Sequence, residues 1–271
     1  MANRSFKSAM RRLLFCGCVA ALSLHGHLLA DGAVAEAFSI EPKPATPLGD
    51  SVFLIDGLQI YLPDYQTSKW QQEMVKNGDF CDGGTMKQIC EILSPNPVIV
   101  DIGAGIGIRS CYWAAKTDAI RVIAFEPIER NCEAIRRNVK INRLQRKVIL
   151  NCLAIGEDDG QLDIADFDGN DPTKTQLRSS GSGGQIEAKR LDSVDMDVGR
   201  IDLISVNVNG FEEQVLAGAR KTLAKVRPTY ILIWSLGDEQ TAADVDQLLT
   251  DSDYDRAKEF DGGAVLYHRI D

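Results

Sequence analysis

The chain has 271 residues, enough to bury a substantial core, with 25% charged side chains and a formal net charge of -9. Four of its 30 basic residues, Arg4, Lys7, Arg11 and Arg12, fall in the first thirty positions, which hold no acid. Without them the balance is -13, 26 basic against 39 acidic residues, which argues against non-specific binding to nucleic acid or an anionic membrane.

Residues 1–37 form a leader, with the basic start followed by an apolar run from Leu13 to Ala30 and Ala-x-Ala sites at Ala33 to Ala35 and Ala35 to Ala37. It reads as a secretory signal peptide or an uncleaved membrane anchor. The alternatives are a mitochondrial-type transit peptide, a twin-arginine signal at Arg11-Arg12, and a leader with no targeting role. The cysteines point to another compartment. Beyond Cys16 and Cys18 in the leader, Cys81, Cys90, Cys111, Cys132 and Cys152 are odd in number and lack C-x-x-C spacing. That pattern is neither a disulfide framework nor a zinc site, and it suits free thiols in a reducing, intracellular compartment.

Residues 38–50, with E-P-K-P-A-T-P at Glu41 to Pro47, are expected to be an extended, solvated linker. Residues 51–97 form an N-terminal extension, with a hairpin over Ser51 to Leu62 turning at Asp56-Gly57 and helices at Trp70 to Val75 and Gly84 to Leu93.

The organising stretch follows at Val98 to Gly107, V-I-V-D-I-G-A-G-I-G. A buried strand ends in Asp101 and breaks into Gly103, Gly105 and Gly107, a turn that lets backbone approach a ligand and presents the free N–H groups of a new helix. The next strand, Val122 to Phe125, ends in Glu126, whose carboxylate can accept from both hydroxyls of a ribose. A dinucleotide fingerprint from Gly103 would need a third glycine where Ile108 stands. The acid-x-Gly-x-Gly-x-Gly spacing instead resembles the first motif of the Rossmann-like S-adenosylmethionine methyltransferases.

Helices at Ile108 to Lys116 and Asn131 to Asn142, the latter with Ile135, Val139 and Ile141 inward, alternate with strands, the third at Lys147 to Ile155. The βαβαβ rhythm predicts an α/β fold, a parallel sheet with helices on both faces. A hairpin strand is expected at Asp158 to Ile164 around Asp159-Gly160, then a mobile loop at Asp166 to Gly184 that either gates the site or does not touch it. A strand at Gln185 to Leu191 precedes the fourth core strand, Ile201 to Val208. A helix at Phe211 to Ala224, the fifth strand at Tyr230 to Trp234, a helix at Ala242 to Thr250 and a closing hairpin of Tyr254 to Phe260 with Ala264 to Arg269 complete the chain.

From Val98 to Tyr267 the sequence resembles the FkbM family of methyltransferases. The motifs are V-D-I-G-A-G-I-G at Val100, R-V-I-A-F-E-P at Arg121, A-I-G-E-D-D-G at Ala154, R-L-D-S-V at Arg190 and D-L-I-S-V-N-V-N-G-F-E at Asp202. The resemblance implies a Rossmann-like methyltransferase fold over 98–271, with a mostly parallel seven-stranded sheet, an antiparallel C-terminal hairpin and helices on both faces. It also implies that the helices of 51–97 form a lid over the cofactor. The chain departs from the family pattern I-K-I-D-V-E-G-F-E, because Ser205, Asn207 and Asn209 replace the lysine, aspartate and glutamate. Trp234 replaces an acid usual at the end of the fifth strand.

The resemblance implies S-adenosylmethionine as cofactor, held by Asp101, Gly103, Ala104, Gly105, Gly107, Glu126, Pro127 and Ala154, and a hydroxyl acceptor on a sugar or other small molecule. Such an acceptor needs a base. His25 and His27 lie in the leader, and His268 is expected as an edge residue of the last strand. The catalytic candidates are therefore Asn207, Asn209 and Glu212, with Glu212 also placed to serve a helix N-terminus and Asp202 as structural. The neutral Asn207 and Asn209 make a poor hard-cation cage, so no metal is expected. Trp234 is either packing or a wall of the acceptor site. The rival functions are a catalytically impaired S-adenosylmethionine-binding sensor or scaffold, and a nicotinamide dehydrogenase. No nucleic-acid partner is expected, and membrane contact only through an uncleaved leader.

Overall fold

The computed structural model describes residues 43–166, 175–179 and 184–270. The leader and parts of the expected linker and loop lie outside them. Three strands open the described chain, β1 (Thr46–Gly49), β2 (Val52–Ile55) and β3 (Leu58–Tyr61), paired antiparallel. Asp56 and Gly57, at φ 45° and 78°, make the expected turn between β2 and β3. The linker expectation fails over Thr46 to Gly49, which is exposed yet paired as an edge strand. It fails also at Ala45, which is buried and donates its N–H to Val75 O at 2.7 Å.

Helices α1 (Lys69–Asn77) and α2 (Gly83–Ile92) lead into the repeating unit of β4 (Val98–Ile102), α3 (Ile108–Lys116), β5 (Arg121–Phe125), α4 (Glu129–Ile141) and β6 (Val148–Asn151). The short strands β7 (Ala154–Ile155), β8 (Gly160–Asp166), β9 (Gln176–Ser179) and β10 (Ile186–Lys189) follow. The chain ends with β11 (Leu203–Val206), α5 (Glu212–Ala217), α6 (Arg220–Lys225), β12 (Tyr230–Ile233), α7 (Glu239–Asp251), β13 (Tyr254–Glu259) and β14 (Val265–Arg269).

The main sheet has seven strands in the order β13-β14-β12-β11-β4-β5-β6. The five from β12 to β6 are parallel, and β14 runs antiparallel against β12 and β13. This is the Rossmann-like methyltransferase fold. Alternation along each strand sends Ile99, Val122, Leu203 and Leu232 into a core shared with α1 to α4 and the first small sheet. Val100, Ile123, Ile204 and Ile231 enter a second core shared with α5 to α7.

The boundary expected at residue 97 does not divide the core, since Ile60, Met86, Ile99 and Trp113 belong to one cluster. Asn138 on α4 and Asn142 just past its end, one helical turn apart, complete β3 as a neighbouring strand would. Asn138 Oδ1 accepts from Tyr61 N at 2.6 Å, and Asn142 Oδ1 accepts from Gln59 N at 3.0 Å.

Several expectations are corrected. The third strand splits: β6 stays in the main sheet, while β7 pairs parallel with β10 in a four-stranded sheet of order β7-β10-β8-β9. No hairpin forms about Asp159-Gly160, because β10 lies between β7 and β8. Gln176 to Ser179, expected as mobile loop, is a strand on β8. The helix expected at Phe211 to Ala224 breaks into α5 and α6. Asp192, in the R-L-D-S-V motif, accepts from Lys221 N and Thr222 N at 2.8 and 2.7 Å and so starts a new helix there. Ile141 is half-buried at the helix end. His268 lies on an interior strand, its ring 5.0 Å from that of Tyr230.

The cysteine expectation is also overturned. Cys132 and Cys152 form a disulfide with Cα atoms 6.2 Å apart, because adjacent parallel strands β5 and β6 bring the first turn of α4 to the loop after β6. Glu129 lies close enough that its carboxylate and the two sulfurs form a three-group cluster, but the disulfide occupies both sulfurs. Among the described residues no helix is long and apolar enough to cross a membrane.

Candidate functional site

The strand order reverses between β4 and β11, and in a parallel sheet that is where the carboxyl ends open a crevice. A cavity of about 340 Å³ lies there. Its walls include Gly103 to Ile106 after β4, Glu126 to Ile128 after β5, Leu153 to Ile155 after β6 and Asn207 to Asn209 after β11. Trp70, Met74, Phe80 and Met86 come to it from α1, α2 and the loop between them, where a lid was expected.

Gly103 has φ 77°, and a Cβ there would lie 2.0 Å from Asn207 O, so the glycine lets the ends of β4 and β11 close together. Glu126 is 4% exposed. Its Oε2 accepts from Gly105 N at 2.9 Å, and its Oε1 accepts from Ile128 N and Asn131 Nδ2, each at 3.0 Å. Burial pushes its pKa up to about 7 against those three donors. The acid thus holds the glycine loop with one edge while lining the cavity.

Gly103, Ala104, Gly105, Glu126, Pro127, Ala154, Asn207 and Asn209 all line the cavity; Asp101, Gly107 and Glu212 do not. Fully buried Asp101 accepts from Ser110 Oγ at 2.6 Å and Ser205 Oγ at 3.0 Å, tying α3 and β11 to β4. Gly107 faces α4, where a Cβ would meet Ile135 at 3.0 Å. Glu212 is fully buried and accepts from Val208 N at 3.1 Å and Gly210 N at 2.9 Å, so it shapes the loop carrying Asn207 and Asn209. Burial raises its pKa. Asp202 accepts from Val98 N at 2.8 Å, the structural role expected of it.

The residue that sequence reasoning missed is Arg109, in the first turn of α3. Its side chain is 12% exposed, and its guanidinium carbon lies 4.7 Å over the Trp234 ring. Nη1 reaches Asp82 Oδ2 and Nη2 reaches Gly103 O, both at 3.3 Å. With the Asn207 amide oxygen turned toward it, that oxygen accepts from Nη2 at 2.7 Å and Nη1 at 3.1 Å. A cation in the first turn of a helix opposes the helix dipole, a signal already present in I-R-S-C after Gly107. Trp234 is outside the cavity wall, beneath Arg109.

A glycine loop after the first core strand and an acid after the second meet on one cavity at the carboxyl ends of a Rossmann-like methyltransferase fold. The chain belongs to the methyltransferase FkbM domain family, whose profile matches residues 101–256. It is 28% identical over 200 residues to the AMB antimetabolite synthetase AmbE of Pseudomonas aeruginosa, covering 58% of this chain and 9% of that protein. It is 30% identical over 165 residues to the 2-O-methyltransferase NoeI of Sinorhizobium fredii, covering 53% and 66%. Among solved structures it is similar to methyltransferase FkbM of Methylobacillus flagellatus, at 17% identity and TM-score 0.48, covering 76% of this chain and 58% of that one. The chain spans less than two thirds of the length of each of the three.

Proposed function

We propose that this protein binds S-adenosylmethionine in the cavity and transfers its methyl group to an oxygen of a small-molecule or carbohydrate acceptor. The observation that carries the reading is the convergence of Gly103, Gly105 and Glu126 on one cavity wall. The residues fit the cofactor. Glu126 offers acceptor oxygens to ribose hydroxyls, the glycines leave room against the backbone, and Pro127, Ile128, Leu153 and Ala154 give an apolar slot for a base. S-adenosylmethionine supplies a methyl group activated by its sulfonium charge. The protein's part is alignment and exclusion of water. The name of NoeI, a 2-O-methyltransferase, supports oxygen as the acceptor atom. The acidic body of the chain makes nucleic acid an unsuitable partner.

Calorimetric titration of the full chain with S-adenosylmethionine and S-adenosylhomocysteine tests this. Binding in the micromolar range, lost in Glu126→Ala, is expected; no binding by the folded protein would sink the proposal. A second reading, an S-adenosylmethionine-binding sensor without turnover, is motivated by the neutral Asn207 and Asn209 on the cavity wall. It predicts the same binding with no methyl transfer to any acceptor.

A further inference from the structure

Arg109 is the one cation among the described residues that line the cavity. With the Asn207 oxygen turned to the guanidinium of Arg109, its NH2 takes the side on which the neighbouring atoms are acceptors. Buried Nε of Arg109 and Nε1 of Trp70, both on cavity-lining residues, have no hydrogen-bond partner among the described residues. The acid on Arg109 is Asp82, half-exposed at the cavity rim and 3.3 Å away, a pairing that solvent screening makes cheap to exchange. Buried donors without partners are costly, so a ligand that brings acceptor oxygens relieves them.

The chemistry of methyl transfer narrows that ligand. A neutral hydroxyl acceptor loses a proton, and the loop after β11 offers no base, because Asn207 and Asn209 are amides and Glu212 is turned to Val208 and Gly210; of the two carboxylates on the cavity wall, Glu126 holds the glycine loop and Asp82 is paired with Arg109. A carboxylate acceptor has no proton to lose. A sulfonium and a guanidinium in one cavity also repel each other unless an anion comes between them.

We propose that Arg109 is the specificity-determining residue of this site and that the acceptor is a carboxylate, which the protein converts to a methyl ester. The proposal rests on the reading of the cavity as a methyl-transfer site. Arg109, its Nη1 released from Asp82, holds one carboxylate oxygen and the other attacks the methyl carbon. A C–O bond forms from an oxygen lone pair, the C–S bond breaks, and its electron pair stays on sulfur. The carboxylate and sulfonium charges cancel and no proton moves.

The test uses the full chain saturated with S-adenosylhomocysteine, titrated with benzoate and glucuronate and with their neutral counterparts benzyl alcohol and glucose. Saturable binding of at least one carboxylate, at least about tenfold tighter than its counterpart, is expected. Arg109→Gln should remove that preference while leaving S-adenosylhomocysteine affinity within about twofold, and Arg109→Lys should restore part of it. With radiolabelled methyl donor and the bound carboxylate, the label should be released as methanol by mild base, as an ester releases it and an ether does not. Equal binding of acid and neutral counterpart, or no binding of either carboxylate, overturns the proposal. So does an equal loss of S-adenosylhomocysteine affinity in Arg109→Gln, which assigns the arginine to the cofactor's own carboxylate. Failure of the wild-type protein to bind S-adenosylhomocysteine at all instead overturns the function on which the proposal rests.

Discussion

Trp234 donates its indole N–H to Ser205 Oγ at 2.9 Å, and Ser205 in turn donates to Asp101 at 3.0 Å. Ser205 is on β11 and Trp234 lies just past the end of β12, at positions where the family resemblance implies a lysine and an acid. The two positions are therefore coupled through one hydrogen bond. Ser205→Ala leaves a buried indole N–H and an oxygen of Asp101 short of a partner, at a cost of about 1–3 kcal/mol in urea unfolding. Ser205→Lys and Trp234→Glu should each destabilise alone, and the double variant should recover at least about 1 kcal/mol of their sum. Additive losses would show that the positions are independent.

Glu126 makes both stability and cofactor binding pH-dependent, in opposite directions. Its folded pKa of about 7 lies above its ordinary 4.5, so between those values the folded state binds more protons than the unfolded. Stability of the ligand-free protein should therefore fall as pH rises from 4.5 to 7, by on the order of 3 kcal/mol at the limit, and Glu126→Gln should flatten that slope. Ribose hydroxyls prefer the ionised carboxylate. Affinity for S-adenosylhomocysteine should consequently weaken below pH 7, approaching about tenfold per unit. A binding constant flat from pH 5 to 8 would remove Glu126 from the ribose role.

The disulfide between Cys132 and Cys152 closes a loop with a sequence separation of 20, a constraint worth about 3 kcal/mol through the unfolded chain. Reductant should lower the unfolding free energy of the wild-type protein by about that amount, with a lower midpoint, and leave Cys132→Ser unchanged. Cys132 Sγ lies 3.1 Å from Glu126 O, a contact that becomes a hydrogen bond only when the sulfur carries a proton. If reductant leaves the midpoint where it was, the bond does not form in solution.

Glu212 separates a structural from a catalytic assignment. Glu212→Gln keeps the size but loses one of the two acceptors that hold Val208 and Gly210, so a loss of about 1–3 kcal/mol in stability is expected. A general base replaced by an amide would instead leave stability intact and lower turnover by about a hundredfold or more.

Asn207→Asp would place a carboxylate against both terminal nitrogens of Arg109, where the amide oxygen now sits at 2.7 and 3.1 Å. A forked ion pair there occupies the guanidinium. Carboxylate affinity should drop by about tenfold while the fold is unchanged or slightly stabilised. Tighter carboxylate binding in this variant would contradict the proposed role of Arg109.

Much of the fold was readable because its signals are local. V-I-V-D-I and R-V-I-A-F are largely apolar strands, Asp56-Gly57 is a turn, and Glu126 directly follows its strand, where the proposed ribose acid belongs. The misses share a different origin. Whether Asp159-Gly160 closes a hairpin depends on β10, 26 residues later than Gly160 at its first residue, and whether a helix runs through Gly218 depends on Asp192. Arg109 carried a local warning in its unfavourable place at a helix start, but what it faces is set by Asn207 and Trp234, on other strands.

By itself the sequence determined the strand and helix alternation, the glycine turn and the acid that follows it, since each depends on backbone preferences and apolar periodicity within a few residues. Only the tertiary structure decided that Asp101 and Glu212 turn away from the cavity, that Cys132 meets Cys152, and that Arg109 stands in its wall. The physical reason is strand order. Pairing β4 with β11 sets Ser205 beside Asp101 across 104 residues of chain, and no pattern within either segment specifies that contact.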